Sequence, residues 1–360
     1  MKVLVAMSGG VDSSVCARLL LDKGYECIGA TMRLYDNSED QKTKGHVCCS
    51  LDDVEDARSV AYGLGMSYYV FNFTDDFKDK VIDKFVSSYE KGLTPNPCID
   101  CNKYMKFSKL YDRARILGCD KIATGHYARI EEEQGRFYLK KARDLSKDQS
   151  YVLYFLTQEQ LSHTLFPMGD YAKSETREIA KESGFANASK PDSQDICFVP
   201  DGDYAKVIEK YSGRASVPGD FVTPKGEVLG RHKGIAHYTI GQGRGLGLSL
   251  KEKGYVCEIR PEENQVVVGK KEDLMGFRAR ALDFNWISGV PPKGEIRCSA
   301  KVRYRHTEQP CTAEVLEDGS VSVVFDEAVR AITPGQSLVL YDGDVVLGGG
   351  VIIKEAVSKD

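Results

Sequence analysis

The chain has 360 residues, of which 42% are hydrophobic and 28% charged, and its formal net charge is -4 at pH 7. This composition is typical of a globular protein with more than one hydrophobic core, and it argues against a disordered chain. No run approaches the ~18 consecutive apolar residues of a membrane span, and the N-terminal MKVLVAMSGG does not resemble a secretory signal. We therefore expect a cytoplasmic protein without a membrane partner.

The first third of the chain alternates apolar runs with helical segments. The predicted strands are Lys2–Met7, Glu26–Met32, Ser67–Phe73 and Lys121–Thr124. The predicted helices are Ser13–Lys23, a helix opened by Asp52 and Asp53, Asp75–Tyr89 and Lys103–Leu117. This βαβ rhythm predicts an α/β fold with a parallel sheet that is covered on both faces.

The sequence pattern changes in the second half of the chain. From about Asp203, Gly and Pro interrupt short segments, and after Gly276 the chain becomes a series of short β-runs. These runs include Ala300–Arg305, Val321–Phe325, Ser337–Tyr341 and Val345–Leu347. We therefore predict an α/β domain over residues 1–202, a small connecting domain over 203–275 and a C-terminal β-barrel over 276–360.

The sharpest motif is Ser8-Gly9-Gly10-Val11-Asp12-Ser13-Ser14, between the first predicted strand and the first predicted helix. Two glycines allow a tight turn close to an anion, and the serine hydroxyls and free amides at a helix N-terminus complete an oxyanion site. The motif lacks the Gly-Lys-Ser/Thr of a Walker A loop. It predicts a phosphate-binding loop of another kind.

This loop resembles that of the PP-loop family of ATP pyrophosphatases, the adenine nucleotide α-hydrolase-like proteins. The resemblance implies that ATP binds with Mg²⁺ and is cleaved with release of pyrophosphate. The residues implied to contact the nucleotide are Ala6, Met7, Ser8, Gly9, Gly10, Val11, Asp12, Ser13, Met32 and Gly125. Gly125 follows a predicted strand, where open α/β sheets bind ligands, whereas a methionine such as Met32 is by itself more often a core residue than a ligand.

The eleven cysteines argue against a disulfide framework and favour reactive or metal-binding thiols. Two of them, Cys98 and Cys101, follow the prolines of Thr94-Pro95-Asn96-Pro97, which predict an extended loop with a helix beginning near Asn102. A second polar loop, Asp192–Phe198, contains Cys197. The positive end of the following helix would stabilise a thiolate in the first loop.

Together with Lys147–Tyr151 and Leu347–Gly350, these loops resemble the bacterial tRNA 2-thiouridylases of the MnmA type, over essentially the whole chain. The resemblance implies adenylation of the C2 carbonyl of the wobble uridine, release of AMP and pyrophosphate, and transfer of sulfur. It implies that Cys101 is catalytic, that Cys197 carries a persulfide, and that a disulfide joins them afterwards. The implied partners are tRNA of the Lys, Glu and Gln types and a sulfur-donor protein, either a cysteine desulfurase or a relay protein.

The same resemblance implies where tRNA binds. Asn96, Pro97 and Cys98 would surround the target base. The other implied contacts are His126, Lys147, Asp148, Gln149, Arg303, Tyr304 and Gln336. Independently, the alternation in Lys301–Arg305 would place three cations on one face of a strand, which favours contact with phosphates.

Cys98 departs from the pattern of many relatives, which have an aspartate at this position. Cys98, Cys101 and Cys197 therefore become candidate ligands of a [4Fe–4S] cluster, as in iron–sulfur-dependent tRNA thiolases. A persulfide relay and a zinc site are the alternatives, and the ligand spacing of Cys98 and Cys101 favours the cluster modestly. We interpret Cys48 and Cys49, which lie in a charged insertion, as structural or incidental.

Two other functions remain open at the level of sequence. One is a different PP-loop ligase, such as an amidotransferase-type nucleotide synthetase or a tRNA lysidine synthetase, although neither chemistry requires three loop cysteines. The other is an RNA-binding module that keeps ATP only as a structural ligand. The ligase would need an amine channel or an amine pocket, and the binding module would bind tRNA without releasing pyrophosphate.

Overall fold

The computed structural model describes residues 1–35, 51–192, 196–199 and 202–354. These residues form a five-stranded, a four-stranded and an eight-stranded sheet with helices around the first two. None of the helices in the described ranges has the length and apolar character needed to cross a bilayer. Cys48 and Cys49 lie outside the described residues.

The N-terminal region alternates strands and helices. Its strands are β1 (Lys2–Ala6), β2 (Glu26–Arg33), β3 (Ser67–Asn72), β4 (Lys121–Ala123), β5 (Ala128–Glu133), β6 (Arg136–Lys141) and β7 (Thr164–Leu165). Its α-helices are α1 (Val11–Asp22), α2 (Leu51–Gly63), α3 (Thr74–Phe77), α4 (Asp83–Glu90), α5 (Pro97–Asp100), α6 (Leu110–Ile116), α7 (Gln158–Ser162) and α8 (Lys173–Glu182). Two π-helical segments, Lys78–Ile82 and Cys101–Lys109, continue α3 and α5 without a break, and short 3₁₀ turns span Ser150–Leu153 and Pro167–Asp170.

The first sheet has the strand order β3-β2-β1-β4-β7, and all of its pairs are parallel. The side chains of β1 explain why both faces are covered. Val3 and Val5 pack with Val15 of α1 on one face, while Leu4 packs with Ile122 on the other. The predicted parallel sheet is confirmed, and its strands end together at the edge where the phosphate-binding loop follows β1.

The connecting region begins with α9 (Tyr204–Ser212) and forms a small mixed sheet. Its strands are β8 (Gly219–Val222), β9 (Val228–His232), β10 (Tyr255–Arg260) and β11 (Gln265–Gly269), in the order β10-β11-β8-β9. Phe221 is fully buried and packs edge-on against His232 and Tyr238. This aromatic group gives the region a core of its own.

The C-terminal region is a closed six-stranded barrel, as the β-runs predicted. Its strands are β12 (Met275–Trp286), β13 (Ile296–Lys301), β14 (Gln309–Val315), β15 (Val321–Arg330), β16 (Ser337–Asp342) and β17 (Val345–Ile352). The order β12-β15-β14-β13-β16-β17 closes through pairing of β12 with β17. Small and branched side chains, including Ala281, Val323 and Leu338, fill the interior.

One predicted strand in this region is wrong in its extent. The sequence predicts a strand from Ala300 to Arg305, whereas β13 ends at Lys301. The chain then turns, and the His306 N–H donates to the Arg303 carbonyl at 3.1 Å. The Arg303 guanidinium donates instead to the Ile240 carbonyl at 2.8 Å. The three cations of Lys301–Arg305 therefore do not share one face of a strand.

The β5–β6 hairpin extends the barrel sheet from the N-terminal domain. Lys140 of β6 pairs with Val345 of β17, and the sequence analysis missed this hairpin. Its turn, Gln134-Gly135, has positive φ at both residues, which is the conformation that two-residue hairpins prefer. The sequence signal for this hairpin is a polar residue followed by glycine, between two β-runs of six residues each.

Ion pairs strengthen the contact between the hairpin and the barrel. Arg129 lies 2.6 Å from Asp344, and Lys141 lies 2.7 Å from Glu308 with its side chain 11% exposed. The low exposure of Lys141 reduces the screening of its charge by solvent. The two domains are thus held in one arrangement by backbone pairing and by charge.

We predict that Gly349→Ala destabilises the protein by about 1–3 kcal/mol, as an overpacked core does. A Cβ at Gly349 would lie 2.7 Å from the Tyr154 ring and 2.9 Å from the Leu338 carbonyl oxygen. Gly63→Ala is the control, because a Cβ there meets nothing within 4 Å and sits in a helix. Urea unfolding measures both variants; equal midpoints would contradict the prediction.

Candidate active site

The phosphate-binding loop connects β1 to α1. Gly9 has φ +74°, and a Cβ at this position would lie 2.4 Å from the Asp53 carbonyl oxygen, so only glycine fits. Gly10 is the N-cap of α1, and it places no side chain on the first-turn amides. The Ser8 N–H donates to Ser13 Oγ at 3.2 Å, which closes the loop on itself. Uncapped amides at a helix N-terminus suit an anion.

Two residues that were not predicted from the sequence hold this loop and its neighbour Asp53 in place. Asn187 is 4% exposed, and its Nδ2 donates to the Gly9 carbonyl at 2.9 Å and to Ser14 Oγ at 3.0 Å. Lys190 lies 2.6 Å from Asp53, the residue whose backbone touches Gly9. No motif marked these residues, because only folding brings residues 187–190 to the loop.

Asp12, at the start of α1, joins the loop to α8. Its Oδ1 accepts hydrogen bonds from Tyr127 Oη at 2.8 Å and from Lys173 Nζ at 2.6 Å. Burial raises the pKa of the Tyr127 phenol, and the Asp12 carboxylate raises it further. Tyr127 therefore stays protonated and acts as a donor to Asp12 at neutral pH.

Gly125 and Met32 lie at the same edge of the sheet. A Cβ at Gly125 would lie 2.9 Å from the Asp12 carbonyl carbon and from the Ser13 nitrogen, so the chain after β4 contacts the phosphate-binding loop directly. Met32, the penultimate residue of β2, is 8% exposed and belongs to a hydrophobic core cluster. The structure thus brings the predicted nucleotide residues to one edge.

His126 follows Gly125 and is buried. Its Nδ1 lies 2.7 Å from Thr124 Oγ1, and its Nε2 lies 3.5 Å from Lys106 Nζ. Since an ammonium group only donates, we infer that Nε2 accepts and that Nδ1 carries the proton. Burial lowers the pKa of His126 well below 6.5, and the Lys106 charge lowers it further. His126 is therefore a neutral imidazole at pH 7.

The helix that carries Cys98 and Cys101 begins earlier than the sequence analysis predicted. It starts at Pro97, not near Asn102, because Asn96 caps it by accepting from the Cys98 N–H at 3.2 Å and Pro97 occupies the first helical position. Cys98 is exposed in the first turn, and Cys101 lies one turn later, where the π-helical segment begins. The Asn-Pro pair was the signal for this start.

Cys197 lies in the short described segment 196–199. Phe198 is buried and packs edge-on against Phe77 and Phe85, with centroid distances of 5.8 and 5.2 Å. Tyr35 Oη donates to the Cys197 carbonyl at 2.7 Å. Cys101 and Cys197 are both partly buried against the same core cluster.

The described cysteines lie in no cluster of metal-binding side chains. Within the described ranges, no three His, Cys, Asp or Glu side chains come together closely enough to hold a metal ion. Among the described residues, Cys98, Cys101 and Cys197 are thus not part of such a group. The described cysteines form no disulfide bond either.

A loop of the barrel holds the segment that precedes the Cys98 helix. Gln336 Nε2 donates to the Thr94 carbonyl at 2.8 Å, and the Thr94 N–H donates to the Pro334 carbonyl at 3.0 Å. A Cβ at Gly335 would lie 2.8 Å from the Thr94 nitrogen. Gln336, predicted to contact tRNA, is in this structure bonded to the chain just before Asn96.

Tyr304 and Arg303 lie in the turn after β13. Tyr304 is 37% exposed; burial raises the pKa of its phenol, and the nearby Asp148 and Cys98 raise it further. Tyr304 thus lies within electrostatic range of the predicted target-base residue Cys98. Arg303 is more buried, and its guanidinium contacts Ile240 in the connecting region and a threonine of the barrel.

A single turn of the chain contains Lys147, Asp148 and Gln149. Asp148 Oδ1 accepts from the Ala142 N–H at 3.0 Å, and Gln149 Oε1 accepts from the Tyr127 N–H at 3.0 Å. Lys147 Nζ lies 2.9 Å from Asp192. The turn is therefore fixed to the phosphate-binding side through Gln149 and to the start of the Cys197 loop through Lys147.

Three family models match successive parts of the chain. They are the tRNA methyl transferase HUP domain over residues 1–201, the tRNA methyl transferase PRC-barrel domain over 205–270 and the aminomethyltransferase beta-barrel domain over 278–352. The tRNA-specific 2-thiouridylase MnmA of Clostridioides difficile is 52% identical over 355 residues, covering 98% of both chains. The protein of that name from Acetivibrio thermocellus is 51% identical, covering 98% of this chain and 99% of its own.

The buried His126 makes stability depend on pH. The unfolded chain takes up a proton at His126 near pH 6.5, whereas the folded chain does not, so the stability is present above this pH and is lost as the pH falls below it. Between about pH 7.5 and about pH 5.5, the free energy of unfolding should therefore fall in the wild type. We predict that this fall is about 1 kcal/mol smaller in His126→Gln. Urea unfolding at both pH values measures this; an identical loss in wild type and variant would contradict it.

Proposed function

The chain belongs to the tRNA-specific 2-thiouridylase MnmA family, and from this premise we propose that it replaces the C2 oxygen of the wobble uridine in tRNA by sulfur at the expense of ATP. It is a tRNA-uridine 2-sulfurtransferase. The observation that carries the proposal is the way in which Gly125 and His126 connect the phosphate-binding loop to the cysteine helix. Gly125 contacts the loop, which has no Walker lysine, and His126 lies 3.5 Å from Lys106 of the helical segment that begins at Cys101.

In the first step, we propose that ATP binds at Ala6–Ser13 with its adenine near Met32 and Gly125. The uridine O2 attacks the α-phosphate, the bond between the α- and β-phosphates breaks, and pyrophosphate remains against the amides of Gly9 and Gly10. Asp12 is the carboxylate that would hold Mg²⁺, which supplies neutralisation of phosphate charge; one carboxylate plus phosphates is a donor set that Mg²⁺ accepts. Lys173 and Tyr127 keep Asp12 oriented.

In the second step, the terminal sulfur of a Cys197 persulfide attacks C2 of the adenylated uridine, and AMP leaves. The Cys101 thiolate then attacks the Cys197 sulfur, which breaks the persulfide S–S bond and leaves the transferred sulfur on C2. The product is 2-thiouridine with a Cys101–Cys197 disulfide, which a thiol reductant must reduce. This step is supported by the packing of Cys101 and Cys197 against one core cluster.

We propose this relay in place of the iron–sulfur mechanism that the ligand spacing favoured. The reason is that Cys98, Cys101 and Cys197 are not gathered as metal ligands among the described residues. A persulfide relay needs two thiols that meet in sequence, not three held at once around a metal. Cys98 then belongs with Asn96 and Pro97 to the surroundings of the target base.

We further propose that tRNA lies across the N-terminal domain and the barrel. The target uridine must leave the stacked anticodon loop to expose C2, so that it enters beside Cys98 and Tyr304. His126, Lys147, Asp148, Gln149, Arg303 and Gln336 are the other proposed contacts. Because Arg303 is largely enclosed, its part is to hold the Tyr304 turn in place.

The remaining features of the proposal follow the family. The domain boundaries are 1–202 for ATP binding and catalysis, 203–275 for the connecting domain and 276–360 for the tRNA-binding barrel. The substrates are tRNAs of the Lys, Glu and Gln types, the sulfur donor is a cysteine desulfurase or a relay protein, and the site of action is the cytoplasm.

We expect AMP and pyrophosphate when the protein is incubated with ATP, Mg²⁺ and tRNA that carries an unmodified wobble uridine. Asp12→Asn should slow their release at least about tenfold, which corresponds to about 1.4 kcal/mol in the barrier. Asp22→Asn, at the other end of α1 in an exposed ion pair with Arg18, is the matched control. ADP and phosphate as products would refute the assignment, and tRNA binding without pyrophosphate release would support the binding-module alternative.

We expect the three site cysteines to differ in a relay. Cys101→Ala and Cys197→Ala should form no 2-thiouridine, whereas Cys98→Ala should retain at least about a tenth of the activity, because it loses a contact and not a reacting group. Nucleoside analysis of digested tRNA measures the product, and Cys257→Ala in the connecting region is the control. Equal inactivity of all three variants with loss of protein-bound iron would establish the cluster instead.

A further inference from the structure

Two cysteines of the barrel face each other across neighbouring strands. Cys298 of β13 lies directly opposite Cys311 of β14 in the antiparallel register, and their Sγ atoms are 3.6 Å apart. Opposite residues of such a pair have Cα atoms about 4.5–5.5 Å apart, which falls within the range of about 4.4–6.8 Å that a disulfide spans. The backbone therefore holds the two thiols where a bond between them can form without rearrangement of the strands.

Both thiols point into the barrel, but they differ in their access to solvent. Cys311 is fully buried in the core of the barrel, whereas Cys298 is partly exposed and packs against that core. A small oxidant in solution can therefore reach Cys298 first. Because no three metal-binding side chains come together in the described ranges, this pair is a dithiol and not a part of a metal centre.

The surroundings of the two sulfur atoms make them chemically unequal. The hydrogen bond with the Cys311 thiol lowers the pKa of Cys298; burial opposes this shift, and the charge of the adjacent Arg297 adds to it. The same hydrogen bond and burial raise the pKa of Cys311. Since the thiolate and not the thiol is the nucleophile, Cys298 is the sulfur that reacts with an oxidant.

We propose that Cys298 and Cys311 are a redox-modification site, at which hydrogen peroxide converts the two thiols to a disulfide between β13 and β14. The Cys298 thiolate attacks one oxygen of the peroxide, the O–O bond breaks, and the hydroxide that leaves takes up a proton to form water. The Cys311 sulfur then attacks the Cys298 sulfenic acid, and its thiol proton leaves with the hydroxyl group as a second water. Two electrons pass in total from the thiols to the peroxide.

Cys311 gives this site its reversibility. A sulfenic acid that meets no second thiol is open to further oxidation to a sulfinic acid, which thiols do not reduce. With the Cys311 sulfur 3.6 Å from the Cys298 sulfur, the sulfenic acid is instead consumed by disulfide formation. The disulfide returns to two thiols by exchange with a thiol reductant. Cys311 therefore limits the oxidation of Cys298 to a product that can be reversed.

The position of the pair suits a modification that leaves the fold intact. Residues 302–308 connect β13 to β14 and carry Arg303 and Tyr304, so that the disulfide would close the base of this hairpin. The two strands are already paired at Cys298 and Cys311, and the bond keeps them in the same register. Oxidation therefore does not require the Tyr304 turn to move.

The test is treatment of the full chain with hydrogen peroxide, followed by alkylation of the remaining thiols, digestion with trypsin and mass spectrometry. Trypsin places Cys298 in the peptide 298–301 and Cys311 in the peptide 306–330, so the disulfide appears as a linked pair that dithiothreitol separates. We expect this linked pair to form in the wild type.

Cys257 is the internal control for reactivity, because it is partly exposed like Cys298 but burial raises its pKa. We expect the Cys298 thiol to be lost at least about tenfold faster than the Cys257 thiol, since one unit of pKa changes the thiolate fraction about tenfold. A pair that only fills the core would react no faster than Cys257.

Two variants test the order of the steps. In Cys311→Ser, Cys298 should stop at the sulfenic acid, which dimedone labels, and should pass to the sulfinic acid on longer exposure. In Cys298→Ser, Cys311 should remain a thiol because it is buried. If Cys311→Ser does not fold, Cys311→Ala removes the same thiol, keeps a small apolar side chain and is read in the same way.

Absence of the linked pair at peroxide concentrations that oxidise Cys257 would overturn the inference, and so would equal rates of thiol loss at Cys298 and Cys257. Dimedone labelling of Cys298 to the same extent in the wild type and in Cys311→Ser would also overturn it. The measurement needs neither nucleotide nor tRNA, so its outcome is independent of the proposed function.

Discussion

The close backbone contacts of the phosphate-binding loop are the constraint on which the site depends. Gly9 touches the Asp53 backbone, and Gly125 touches the backbone at Asp12 and Ser13, at distances that leave no room for a Cβ. Asn187 fills the remaining side by donating to the Gly9 carbonyl. Three distant stretches of chain thus fix a loop that must keep its amides directed at an anion before the anion arrives, and such preorganisation is what makes the amides effective.

The second requirement is to bring a base from a folded RNA to that loop, and the barrel contributes to it through backbone contacts. The Pro334–Gln336 loop holds Thr94 and Pro95, so the helix with Cys98 and Cys101 begins at a position that the barrel determines. The β5–β6 hairpin joins the barrel to the N-terminal domain on another side. Backbone contacts, and not a flexible linker, therefore set the spacing between the barrel and the N-terminal domain.

Burial affects the charge of the titratable groups in the site as much as ion pairing does. His126 is enclosed next to Lys106 and is neutral, so it can act as a hydrogen-bonding group and not as a cation. Burial also raises the pKa of Asp100, between the two helix cysteines, although Lys84 lies 2.7 Å away and opposes the shift. The full charges are concentrated instead around Asp12 and Asp192, where Lys173 is shared.

The sequence by itself determined the parallel sheet, the phosphate-binding loop and the barrel, because each depends on local periodicity and on residues adjacent in the chain. Two further features were also recorded locally but were not predicted. Asn96-Pro97 signals the start of the cysteine helix, and Gln134-Gly135 signals the hairpin turn. Only the tertiary structure decided that Asn187 supports the loop, that Gln336 holds Thr94 and that Lys173 bridges Asp12 and Asp192. It also decided that Arg303 turns inward and that the three cysteines are not gathered as a metal site among the described residues. The physical reason is that these contacts join residues far apart in sequence. A buried polar group needs a hydrogen-bond partner, but the local sequence pattern does not identify which distant residue provides it.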